Sequence, residues 1–179
     1  MFLNLQIHNN TDITPFVHNG IIIDTSVFKI IVDGVVCTRI SKRKSEEFDQ
    51  LLLFLDLIKM NNRWDKFFIT PHVLTEIGTH LRNDYSKWNN YKEIVEEIIP
   101  ILRAMEEKNV KKDTILNYID LKIPIVELGD ISICLTADDF IASSEKVAIL
   151  SSDRGLNQKY QDNRDIMVMD FRSNIYNLS

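Results

Sequence analysis

The chain has little cysteine, little glycine and a deficit of positive charge. Two cysteines in 179 residues, Cys37 and Cys134, build no disulfide framework and suit a reducing cytosol. Cys134 falls on an apolar helical face and reads as a small core residue. The five glycines form no glycine-rich phosphate loop. No run approaches the roughly 18 apolar residues a membrane span requires. Met1 to Asn10 lacks the basic start, long apolar stretch and small-residue cleavage site of an export signal, so a cytoplasmic protein with no membrane partner is expected. Lys and Arg total 21 against 26 Asp and Glu, a net charge of -5. That balance argues against a protein that coats nucleic acid through a basic surface. It leaves room for an acidic site whose sign is inverted by bound cations. No internal repeat or low-complexity linker interrupts the chain.

What is present is a strong core signal. Hydrophobic residues make up 45% of the sequence and charged residues 26%, which excludes a disordered chain and supports one domain over residues 1–179. Short apolar runs near 20–24, 66–70, 123–126, 147–150 and 165–169 read as strands. Helices are expected near 25–32, 45–60, 71–83, 86–108, 113–120, 129–144 and 153–161. This alternation predicts an α/β fold, a central parallel sheet flanked by helices, with a helical segment inserted near 86–120. Asp33-Gly34 through Lys44 reads as a loop. Trp88, Tyr91, Val95, Ile98, Leu102 and Met105 form a narrow stripe with a kink expected at Pro100, and Phe48, Leu51, Leu52, Leu55 and Ile58 form a matching face. The pair either fills the domain's own core or forms a protruding clip or a homodimer contact.

Four acids follow the apolar runs: Asp24 after Ile21-Ile22-Ile23, Glu76 after Phe67-Phe68-Ile69, Asp130 after Ile123-Pro124-Ile125-Val126, and Asp153 after Val147-Ala148-Ile149-Leu150. In an open α/β sheet the ligand crevice lies outside the carboxyl ends of the strands, so these acids are expected to converge. Converging carboxylates repel by about 4 kcal/mol per close pair in a partly shielded site, and relieve it by taking up protons or cations. Oxygen ligands without Cys or His favour Mg²⁺ or Mn²⁺. Singly, each acid also reads as a helix cap or solvated residue. His72, Glu76 and His80 are spaced four apart, but the two histidines lie about 12 Å apart along a helix, too far to share a zinc ion. A phosphoryl-acceptor role for Asp24 is disfavoured by Ser26 where a second acid is needed.

Asp24-Thr25-Ser26 after an isoleucine strand, Glu76 within Thr70-Pro71-His72-Val73-Leu74-Thr75-Glu76-Ile77, Leu128-Gly129-Asp130-Ile131, and Leu150-Ser151-Ser152-Asp153 occur in an order that resembles the PIN-domain ribonucleases, including VapC-like toxins. The resemblance implies a single PIN-like domain in which Asp24, Glu76, Asp130 and Asp153 hold one or two Mg²⁺ or Mn²⁺ ions, supported by Thr25, Ser26 and Ser151. It implies hydrolysis of single-stranded RNA, and for a toxin an antitoxin protein as partner; the alternative is an inactive PIN-like module that binds RNA or protein. Gly155 stands where many members carry a further acid. Cations expected to touch RNA are Arg39, Lys42, Arg43, Lys44 and Arg154, with Lys108, Lys111 and Lys112 as a second patch.

Overall fold

In a computed structural model, residues 6–7, 11–122 and 128–172 are described. A short antiparallel pair, β1 (Gln6–Ile7) and β2 (Thr11–Asp12), precedes α1 (Thr14–His18). The sheet begins with β3 (Ile21–Ile23), followed by α2 (Thr25–Val35), α3 (Glu46–Leu57), β4 (Phe67–Ile69), α4 (Pro71–His80) and α5 (Tyr91–Ala104). It continues through β5 (Glu106–Glu107), α6 (Lys112–Lys122), α7 (Leu128–Ala142), β6 (Val147–Leu150), α8 (Arg154–Tyr160) and β7 (Ile166–Met169).

The five-stranded sheet is parallel throughout, in the order β5-β4-β3-β6-β7. The fold is therefore the α/β class that the alternation of apolar runs predicts. β3, β4 and β6 are buried along their whole length, as strands covered by helices on both faces must be. Their isoleucines, valines and phenylalanines form one continuous core with the inward faces of α2, α3, α4, α5 and α7. The chain enters the sheet at β3, moves outward to β4 and β5, then returns to the far side of β3 for β6 and β7. The strand order thus reverses between β3 and β6, where a doubly wound sheet opens a crevice at its carboxyl edge.

Two expectations need correction. Residues 33–40 are helical: α2 runs to Val35 and continues in a π-helical turn, Val36–Ile40. Gly34 is no turn residue; it lets α2 approach α3 closely, and a Cβ there would lie 2.1 Å from Phe48 Cγ. The long helix expected over 86–108 is shorter. It spans α5, keeps Pro100 inside, and gives way at Met105 to β5, the parallel edge partner of β4. The strand expected at 123–126 lies outside the described residues; among those described, β5 is the fifth strand of the sheet.

The apolar stripes belong to the domain's own core. Of the first stripe Ile98 and Met105 are buried, Tyr91, Val95 and Leu102 are half-buried and Trp88 is 44% exposed. Ile94 and Ile101 complete the buried face of α5. Of the matching face Phe48, Leu51, Leu55 and Ile58 are buried and Leu52 is half-buried. No helix among the described residues is long and apolar enough to cross a membrane.

Candidate functional site at the carboxyl edge of the sheet

The ends of β3 and β6 are tied together. Asp24 N–H donates to Leu150 C=O at 3.1 Å, continuing the ladder one residue past β3. Asp24 occupies the N-cap position of α2 with extended backbone angles, yet its side chain caps nothing. Ser26 Oγ, at 2.5 Å, and Ser151 Oγ, at 2.7 Å, both donate to its Oδ2. Among the described residues Oδ1 accepts no hydrogen bond. Ser26 Oγ also accepts from Ser152 N–H at 3.2 Å, and Ser151 Oγ accepts from Asp153 N–H at 2.9 Å. The carboxylate is buried at 6% exposure. Hydroxyl donors satisfy one of its oxygens, as a buried charge demands.

Glu76 lies in the second turn of α4, whose start is fixed by Thr70 at the N-cap and Pro71 in the first turn. It reaches back to the same edge, where Thr25 Oγ1 donates to its Oε2 at 2.5 Å. On its other side it meets the start of α7: a Cβ on Gly129 would lie 2.8 Å from Glu76 Oε1. Buried hydroxyls set that approach. Thr70 Oγ1 and Ser132 Oγ are 2.7 Å apart, and Ser132 Oγ donates to Gly129 C=O at 2.7 Å. The end of β4 and the first turn of α7 are thereby held in register.

Asp130 sits in the first turn of α7, half-buried. Asp153 is exposed, and it is a cap: its Oδ1 accepts from Gly155 N–H at 2.5 Å and Leu156 N–H at 3.0 Å, starting α8. The helix-cap reading therefore fails for Asp24 and holds for Asp153. Gly155 has a local reason to be glycine, since a Cβ there would crowd Asp153 Oδ1 at 2.9 Å.

All four acids line one cleft of about 540 Å³, together with Thr25, Ser26, Ser152, Gly129 and Lys29. No family model matches the chain, and no curated protein does. The donor set is entirely oxygen, which suits a hard divalent ion. As placed, no three Asp, Glu, His or Cys side chains among the described residues form a group able to hold one ion.

The histidines of α4 take no part. His80 Nε2 lies 2.7 Å from Asp33 and Nδ1 lies 2.6 Å from Asp84, while Glu76 turns the other way. Tyr85 also donates to Asp33, at 2.5 Å; burial first, then this bond, pushes its phenol well above the ordinary range. This network joins α2 to the turn after α4, away from the cleft.

None of the basic residues singled out in the sequence is among the described lining of the cleft, although Arg154 adjoins it. Arg39 lies at the far end of the helix that Asp24 begins, about 20 Å along its axis, and pairs with Glu97 at 2.6 Å. Lys42, Arg43 and Lys44 follow it in the segment before α3. Arg154 opens α8 beside Asp153 and is exposed. Lys108 pairs with Glu106 at 2.5 Å and lies over the Phe68 ring. The sequence reading missed Lys29 and Ser132, and it gave Thr70 and Gly129 no role beyond membership of their motifs. A signal for Lys29 existed, because it lies four residues past Thr25 and three past Ser26 on one helical face.

Proposed function

We propose that this chain is a metal-dependent endoribonuclease of the PIN type, cleaving phosphodiester bonds of single-stranded RNA. One observation carries the reading: Asp24, Glu76, Asp130 and Asp153, spread over some 130 residues of sequence, line a single cleft at the point where the strand order reverses. Those four acids are the residues that would hold Mg²⁺ or Mn²⁺. A bound divalent ion supplies an activated water and neutralises charge on the leaving oxygen. The chain's own contribution is orientation: Ser26 and Ser151 hold Asp24 by one oxygen, and Thr25 holds Glu76 by one oxygen. In a toxin-antitoxin pair, the antitoxin would act by covering this cleft.

Purified protein is expected to cleave single-stranded RNA with Mg²⁺ or Mn²⁺ and to stop with chelator. Asp24→Asn is expected to lose that activity while melting as the wild type does. Equal cleavage by the variant would overturn the assignment.

A second reading is favoured by the spacing of the acids as placed and by the engagement of Asp153 as a cap. It is a PIN-like module that binds RNA or a protein without cutting. Calorimetric titration separates the two, because the nuclease takes up Mn²⁺ and the binding module does not.

A further inference from the structure

The cleft that the acids line has a single basic side chain among its described lining residues, Lys29. It is exposed, near the start of α2, on the face shared by Thr25 and Ser26. Four carboxylates line the same cleft, yet Lys29 forms no ion pair with any of them among the described residues. Where a carboxylate does hold a cation in this fold the contact is close, as for Arg39 with Glu97 at 2.6 Å and Lys108 with Glu106 at 2.5 Å. Lys29 is therefore not a neutraliser of the acids. Its ammonium stays open to the cleft, where four carboxylates would otherwise repel an anionic ligand.

We propose that Lys29 is the phosphate-holding residue of this cleft, gripping a non-bridging oxygen of the RNA backbone beside the bond to be cut. The proposal rests on the nuclease reading above and deepens it by naming the side chain that offsets the repulsion between an acidic crevice and a polyanion. A lysine grips phosphate as a point charge, so the contact carries no base preference. The basic segment around Arg39 and Lys42, at the other end of α2, is too far along the axis to grip that same phosphate.

The test is the salt dependence of binding and the kinetics of cleavage for wild type, Lys29→Gln and Lys29→Arg. The probe is a short unstructured single-stranded RNA labelled at one end, with Ca²⁺ replacing Mg²⁺ for the binding series. Removing one phosphate contact on a single strand makes the slope of log affinity against log salt shallower by about 0.7. Lys29→Gln is expected to show that change and to raise KM with kcat unchanged. Lys29→Arg is expected to keep the wild-type slope. A solvated surface lysine would move none of these. If the wild type cleaves RNA and Lys29→Gln keeps its slope and KM, the Lys29 assignment fails and the nuclease reading stands. If the wild type neither binds nor cleaves RNA, both fall.

Discussion

Thr70 Oγ1 and Ser132 Oγ meet at 2.7 Å in the interior, and through them the end of β4 is bonded to α7. Both residues are fully buried. Ser132 holds Gly129 C=O as well, so one hydroxyl keeps two segments of the cleft wall together. Ser132→Ala leaves the Thr70 hydroxyl short of a partner and frees that carbonyl. The expected loss is about 1–3 kcal/mol in urea unfolding. Unchanged stability would mean the two hydroxyls contribute nothing net.

Gly129→Ala is expected to separate stability from function. The added Cβ collides with Glu76 Oε1, the movable end of a flexible side chain, and alanine gains about 0.5–1 kcal/mol over glycine within a helix. The variant should unfold no earlier than wild type. Its Glu76 carboxylate is nonetheless pushed from its place beside Thr25, so RNA cleavage and Mn²⁺ uptake should both fall. A variant with full cleavage would show that Glu76 tolerates the shift.

Gly34→Ala should do the reverse. Here the new Cβ falls 2.1 Å from Phe48 Cγ, against the root of a buried ring rather than a mobile tip. Overpacking of this kind costs about 1–3 kcal/mol, more than the helix propensity returns. Melting temperature should drop, and pairing with Phe48→Leu should recover part of the drop.

Asp138 on α7 gives a pH test. Burial, opposed by Lys159 and reinforced by Asp139, raises its carboxyl above the ordinary 3.8. The folded chain keeps that proton to higher pH than the unfolded chain does. Ionisation therefore subtracts stability as pH climbs from the unfolded value through the folded one, and adds nothing further above it. The melting temperature of Asp138→Asn relative to wild type is expected to rise across that window and then level off. A difference that stays flat with pH would contradict the shift.

The sheet was legible because its central strands are bare apolar runs: Ile21-Ile22-Ile23 and Val147-Ala148-Ile149-Leu150 leave no competing pattern. β5 was not, since Glu106-Glu107 is a charged two-residue edge with no hydrophobic signal. Gly34 misled because a helix-packing glycine and a turn glycine look alike until Phe48 is seen against it. At the cleft, the four acids were legible by type and order. Their support was not, because the Thr70–Ser132 bond spans 62 residues and no local spacing announces it. Which acids cap helices also depended on three dimensions. Asp24 and Asp153 precede helices in similar local sequence, yet only Asp153 caps.

Asp24 is bonded by its backbone to Leu150 and by its side chain to Ser151, partners about 127 positions later in the chain. Closing so long a loop is an entropic cost met only when β6 docks against β3. During synthesis from the N-terminus, therefore, the β6 wall of the cleft is missing until the chain has been made past residue 150, in its last fifth. A fragment ending before residue 147 would carry Asp24, Glu76 and Asp130 without Ser151, and it should be inert however well its helices form.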